Sequence, residues 1–239
     1  MKKIIFILFL ICITVFGCKK DATQPYTCAT CKNTPDALAA HDASSKGIYK
    51  GVLIASTGTI VFDILNNGTT ITAKLTLNGT VVNLTSSIAW SAGSPYVAPF
   101  TGTYNGSNIS ITFSVGVSGQ TPTVTSSSIP GHPNATFIVQ KETSTSQIEC
   151  YEGTYSGTQS SGTLNIILSK SAGAWQGAVR KNGGTTSTSF SGTLTGTAIN
   201  ATGLQNPAFV RATLGTDVIT GGTFNDGSDS GTWQANRTL

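Results

Sequence analysis

Charge is what this 239-residue sequence has least of: only 10% of its side chains are Asp, Glu, Lys or Arg, against about 25% in ordinary globular chains. The polar surface must therefore be made of Ser, Thr, Asn and backbone. Fourteen Lys and Arg against ten Asp and Glu give a formal +4, which argues against nucleic acid, since phosphate binding needs basic residues clustered on one face. Histidine is rarer still. The two present, His41 and His132, have no obvious partner, so a nucleophile activated by a neighbouring base has little support. His132 sits in Ile129-Pro130-Gly131-His132-Pro133, where Pro and Gly fix a turn. No apolar run reaches the roughly 20 residues of a spanning helix.

Lys2 and Lys3, an apolar run from Ile4 to Phe16, then Gly17, Cys18 and Lys19 have the order of a secretory signal: a positive start, a short hydrophobic stretch and an abrupt polar end. Val15-Phe16-Gly17-Cys18 resembles the bacterial lipobox. That resemblance implies diacylglyceryl transfer to Cys18, cleavage before it and acylation of the new amino terminus, with residues 1–17 as signal peptide. Lys19 rather than Asp follows the cysteine, as in the lipoproteins sent on to the outer membrane. Several acyl chains hold a protein on a membrane where one binds only marginally. Loss of Lys2 and Lys3 leaves 12 Lys plus Arg against 10 Asp plus Glu, a mature net charge of +2. Residues 18–46 are expected to form the lipid tether followed by a short helix over Asn33–His41, with Thr34 as cap, Pro35 in the first turn and Asp36 at the positive end.

With Cys12 discarded and Cys18 lipidated, Cys28, Cys31 and Cys150 remain, an odd number in a compartment where thiols pair. A bond from Cys150 to Cys28 or Cys31 is favoured over the tight Cys28–Cys31 loop, because closing a long loop removes more entropy from the unfolded chain. Lys32 after Cys31 rules out haem attachment, and no βαβ pattern supports a thioredoxin-type motif. A zinc site of Cys28, Cys31, His41 and Cys150 has suitable ligand types but lacks a second close pair. No cofactor or metal is therefore expected.

From Gly47 onward the pattern has period two. Ile71, Ala73, Leu75 and Leu77 alternate with polar residues, as do Ile109, Ile111, Phe113 and Val115, which marks half-buried strands. Asn67-Gly68, Asn78-Gly79, Asn105-Gly106 and Asn182-Gly183 are hairpin turn signals, because both central residues must take positive φ. Strands joined by such turns are antiparallel neighbours. The sequence also repeats: Tyr49-Lys50-Gly51 matches Tyr155-Ser156-Gly157, Gly58–Ile64 matches Gly162–Leu168, Phe100–Gly106 matches Phe190–Gly196, and Phe137 corresponds to Trp233. Thr154–Gly157 with its following Gly-Thr strand, and Gly222–Trp233, are similar to the Gly/Thr-rich β modules of exported bacterial proteins and lipoproteins. The resemblance brings no catalytic residues with it.

The expected fold is all-β, with two tandem antiparallel meander units at 47–143 and 150–239 that close into barrels, because long uncharged Thr-rich strands would be sticky as edges. Gly102, Gly177, Gly192 and Gly221 within strand patterns mark bends or close backbone approach. By the repeat, Trp175 and Trp233 fall at core positions. Trp90, with Tyr96 beside it in the insertion near residues 89–99, is the candidate ligand-binding loop. Asp226 and Asp229 miss the spacing of a calcium loop and read as a solvated turn. The functional expectation is a non-catalytic, lipid-anchored protein of the cell envelope that binds carbohydrate or an envelope component. Two alternatives are open: a lipocalin-like carrier with a small apolar ligand inside a barrel, or a hydrolase using Glu142, Glu149 and Glu152 at the junction.

Overall fold

A computed structural model describes residues 26–54, 56–205 and 207–239. The proposed signal peptide 1–17, the proposed lipidation site Cys18 and the expected tether Lys19–Tyr26, apart from Tyr26 itself, lie outside the described residues. Among the described residues, sixteen strands follow a single 3-10 turn at Ala39–His41: β1 Gly47–Ile54, β2 Gly58–Ile64, β3 Ile71–Leu77, β4 Thr80–Ser86, β5 Tyr96–Tyr104, β6 Ser107–Val115, β7 Thr123–Ser128 and β8 Thr136–Lys141, then β9 Glu149–Gly157, β10 Ser161–Ser169, β11 Ala174–Lys181, β12 Thr188–Thr195, β13 Ala198–Ala201, β14 Phe209–Leu214, β15 Val218–Asn225 and β16 Ser230–Arg237. The all-β reading with two tandem eight-stranded antiparallel units holds. The second unit is a closed meander barrel in which β16 returns to pair with β9. In the first, β8 likewise returns to β1, but β7 and β8 are not joined by a ladder. Ser127 Oγ donates to the Ala135 carbonyl at 3.0 Å across that seam, so the first barrel is nearly closed.

Two of the four turn signals form two-residue hairpins: Asn78 and Gly79 both have positive φ (48° and 78°), as do Asn105 and Gly106 (48° and 78°). Between β2 and β3 the left-handed residue is Leu65 rather than Asn67 or Gly68. One block of the repeat aligns differently in space. Phe100–Gly106 ends the fifth strand of its unit, whereas Phe190–Gly196 ends the fourth of the other. Successive Gly/Thr-rich strands resemble one another enough for a match in sequence to slip by one strand.

Each barrel has its own core. Tyr49, Phe62, Phe100 and Phe113 fill the first, with Phe62 stacked on Phe113 at a centroid distance of 4.3 Å. Tyr151, Ile166, Leu168, Trp175, Ile199 and Ile219 fill one half of the second. Strands β1 and β10 are buried on both faces over most of their length, because the barrels pack side by side through them. Val52, Ile54, Ile148, Cys150, Ile167 and Ala178 form this seam. Asn165 on β10 donates across it to the carbonyls of Leu53 and, at 3.1 Å, Ser56.

Residues 26–46 are docked on the body, and the helix expected over Asn33–His41 is corrected to a single 3-10 turn. Asp36 N–H donates to Glu142 Oε1 at 2.6 Å and Leu38 N–H to Asn66 Oδ1 at 3.0 Å. These are donors of the segment where a helix was expected, and the body takes them instead; only the 3-10 turn Ala39–His41 forms. Two buried charge clusters fasten the segment. Lys50 lies 2.7 Å from Glu142 and 3.1 Å from Asp36. Arg237, 1% exposed, reaches Glu149 at 3.3 Å, Asp217 at 3.5 Å, Asn33 Oδ1 at 3.2 Å and the Lys32 carbonyl.

The disulfide expectation is also corrected. Cys28 and Cys31 pair with each other, and Cys150 is a free, buried thiol. Cys150 is held in the apolar seam between Val52 and Ile167, while Cys28 N–H is bound to Asp217 at the end of the second barrel. Loop entropy acts through the unfolded chain, whereas this native placement keeps Cys150 apart from the other two thiols. Burial pushes the Cys150 thiol up, away from the reactive thiolate.

Candidate functional site

The second barrel is filled at one end and hollow at the other. A cavity of about 370 Å³ lies at the end formed by the β9–β10, β11–β12, β13–β14 and β15–β16 connections. Its walls are the rings of Tyr155, Phe190, Phe224 and Trp233 with Leu164, Val179 and Val210. Trp175 belongs to the filled half: it is 1% exposed, its Nε1 lies 3.2 Å from both the Thr193 and Asn200 carbonyls, and its ring meets the cavity residue Phe190 edge-on at 5.6 Å.

Inward-facing glycines set those rings in place. Directly across a strand pair, Tyr155 faces Gly162, Phe190 faces Gly177, Trp175 faces Gly192, Trp233 faces Gly222 and Phe224 faces Gly231. A Cβ at Gly162 would meet the Tyr155 ring, and one at Gly192 would meet the Trp175 indole and the Asn200 carbonyl. Each ring lies over a position with no side chain, so large residues fit inside a narrow barrel. Tyr155 and Phe224 meet edge-on, their centroids 5.8 Å apart.

The rim is polar: Ser160, Lys181, Thr186, Thr188, Ser189, Asn225 and Asp226. Asp229 pins two of its turns together. Its carboxylate accepts from Thr158 Oγ1 (2.9 Å), Gln159 N–H (3.0 Å), Ser160 Oγ (2.8 Å) and Ser230 N–H (2.8 Å). Burial pushes this carboxyl up, but those four donors outweigh it and bring it to about 2. Asp226 Oδ1 accepts from Ser228 N–H and Oγ and from Asp229 N–H. Hydrogen-bond donors converge on both carboxylates, the arrangement of a structural turn and the opposite of a calcium site, which supplies oxygen acceptors.

Sequence reasoning pointed elsewhere. Trp90 is half-buried; its Nε1 donates to Ser45 Oγ at 2.8 Å, and Lys46 Nζ sits 4.4 Å from its ring centroid. Tyr96 is 3% exposed and donates to the Ile88 carbonyl at 3.1 Å. Both side chains are therefore engaged within the protein, Trp90 by the docked segment and Tyr96 by the first unit. Two of the three junction carboxylates are engaged too. Glu142 binds Lys50, Asp36 N–H and Ile148 N–H, and Glu149 binds Arg237, Lys170 and the Tyr151 hydroxyl. The set Cys28, Cys31, His41 and Cys150 is not assembled, since two of its thiols form a disulfide and the third is in the inter-barrel seam. Trp175 and Trp233 occupy the buried positions that the repeat gave them, but Trp233 also lines the cavity. A wider depression of about 520 Å³ at the opposite end is walled by turn residues such as Gly196, Thr197 and Gly215 and contains no aromatic ring. No protein-family model matches the chain, and no curated protein or solved structure matches it.

Proposed function

We propose that this protein is a non-catalytic, lipid-anchored component of the bacterial cell envelope whose second barrel carries a small apolar molecule in its open end. The observation that carries this reading is the half-filled barrel. Its cavity of about 370 Å³ falls at the small end of the 300–1,000 Å³ range of ligand pockets, and aromatic rings line a space that a purely structural barrel would fill with side chains. The carrier reading is preferred to carbohydrate binding through the Trp90 loop, because Trp90 and Tyr96 already have partners within the protein.

The anchor fits the same picture. Tyr26 donates to the Arg237 carbonyl at 2.6 Å, at the end of the second barrel opposite the cavity. Tyr26 stands eight positions after Cys18, a stretch that spans at most about 28 Å. A lipidated Cys18 thus holds the filled end toward the membrane and turns the open end away from it.

Titration of the lipid-free protein with the neutral fluorescent probe N-phenyl-1-naphthylamine tests the carrier reading. One saturable site per chain is expected, weakened at least about tenfold (about 1.4 kcal/mol) by Val179→Trp and by Val210→Trp, each of which fills the cavity from a different strand. Non-saturable binding, or affinity that neither variant changes, refutes it.

A further inference from the structure

We propose that the ligand is an anionic amphiphile, an apolar or aromatic body bearing one carboxylate, with that carboxylate held at the rim by Lys181 and the Tyr155 hydroxyl. This rests on the carrier reading and adds the chemical class of ligand.

One row of residues crosses the barrel wall at the cavity. Gly222, Trp233, Tyr155, Gly162 and Lys181 are successive cross-strand partners on β15, β16, β9, β10 and β11. In-register neighbours across a sheet point to the same face, and the rings of this row line the cavity. Tyr155 and Lys181 therefore flank Gly162 from either side, two strand spacings or about 10 Å apart at the backbone. Gly162 has no side chain to separate them, and the Tyr155 ring already leans over it. A group bound above Gly162 meets a phenol from one side and an ammonium from the other.

Lys181 forms no ion pair among the described residues, and the Tyr155 hydroxyl has no hydrogen-bond partner among them. Both lie at the mouth of a cavity whose deeper wall is apolar. Lys181 is exposed at the end of β11, but its backbone register sets it on the inward row, at the cavity mouth. The other charged lining residue, Asp226, stands in the exposed β15–β16 turn. Its Oδ1 is already filled by three donors from Ser228 and Asp229. The Trp233 indole N–H is likewise engaged, by the Thr223 carbonyl at 3.3 Å. Among the lining residues Lys181 is the one cation, and the Tyr155 hydroxyl beside it and the neutral rim hydroxyls of Thr186, Thr188 and Ser189 can donate; together they suit a carboxylate through charge-assisted hydrogen bonds.

The test uses three probes with one apolar body and different heads: 4-phenylbutyrate, 4-phenylbutanol and 4-phenylbutylamine, each competing with bound N-phenyl-1-naphthylamine. The carboxylate is expected to bind about fivefold more tightly than the alcohol, in keeping with one partly exposed charge pair and one hydroxyl contact, and the amine more weakly than either. Lys181→Gln should remove the preference while leaving the alcohol's affinity unchanged, and Tyr155→Phe should reduce it in part. If the alcohol binds as well as the carboxylate, or the amine binds best, the ligand class is overturned while the cavity reading stands. If no probe competes and Val179→Trp leaves probe binding untouched, both fall.

Discussion

Replacing Arg237 with Met should loosen the docked segment 26–46 and destabilise the second barrel together. The guanidinium is 1% exposed and lies where β16 ends, in reach of two carboxylates and two groups of the segment, Asn33 Oδ1 and the Lys32 carbonyl. Removing one partner of a buried ion pair costs about 3–5 kcal/mol, because the charge left behind stays buried and uncompensated. Two contacts place the loss at the low end of that range. Lys170 remains 2.9 Å from Glu149, and Cys28 N–H still donates to Asp217 at 3.0 Å. A loss of about 3 kcal/mol is therefore expected, read from urea unfolding followed by tryptophan fluorescence. Arg237→Lys should fall between, since it keeps the charge but not the fork that serves several acceptors at once. Arg237→Met combined with Glu149→Gln should lose less than the single change, as it removes one of the orphaned charges. Trypsin cleavage after Lys32 supplies a local readout, because that residue's carbonyl is held by Arg237 and Gln147. A loss under about 1 kcal/mol with cleavage at Lys32 unchanged would refute the clasp, since such a loss is what an exposed pair gives.

Two further outcomes follow from particular side chains. Burial at the inter-barrel seam raises the Glu152 carboxyl to about 7, although Gly58 N–H and the Thr238 hydroxyl hydrogen-bond to it and act in the other direction. The native state then keeps a proton that the unfolded chain releases, so stability falls as pH rises from about 4.5 to 7 and is level above that. Glu152→Gln should raise stability at pH 8 by on the order of 1–2 kcal/mol, discounted for partial exposure, and change it little at pH 4; an equal effect in melts at both pH values sinks the assignment. Gly192→Val tests the seating of the rings. Strand propensity alone predicts a gain of up to about 1 kcal/mol, whereas collision with the Trp175 indole and the Asn200 carbonyl predicts a loss of about 1–3 kcal/mol, so the sign of the change in urea midpoint decides.

How much of this could be read in the sequence depends on whether the determining interaction is local. Period-two alternation and Asn-Gly turns act within a few residues, and they give eight antiparallel strands in each unit. The docked segment is the opposite case. Pro35 and Asp36 suit a helix start, but Glu142 and Asn66, far along the chain, take the backbone donors of that stretch, and no local pattern announces them. The inter-barrel seam left a trace that period two could not use. Val52-Leu53-Ile54 and Ile166-Ile167-Leu168 are runs without alternation, as expected of strands covered on both faces, and these strands form the contact.

The cavity also had a sequence signature, hidden among abundant glycines. Tyr155-Ser156-Gly157, Trp175-Gln176-Gly177, Phe190-Ser191-Gly192, Gly222-Thr223-Phe224 and Gly231-Thr232-Trp233 each place a ring and a glycine two residues apart, hence on one face of a strand. Antiparallel pairing then sets each ring opposite a glycine of a neighbouring strand. That pattern alone says that rings point inward, and it holds equally for Trp175 in the filled half and for Trp233 beside the cavity. The difference lies in what faces the rings across the barrel. Around Trp175 stand Ile166, Leu168, Leu194 and Ile199, which close the space. Toward the open end, Thr188, Ser189 and the exposed Leu204 line the wall without filling it. Strand count fixes the barrel's circumference, so short or outlying side chains at one end leave volume that no rearrangement of the rings recovers. The hollow is thus a consequence of which residues are small at the β11–β12 and β13–β14 ends, a property of eight strands assembled and of no single stretch of chain.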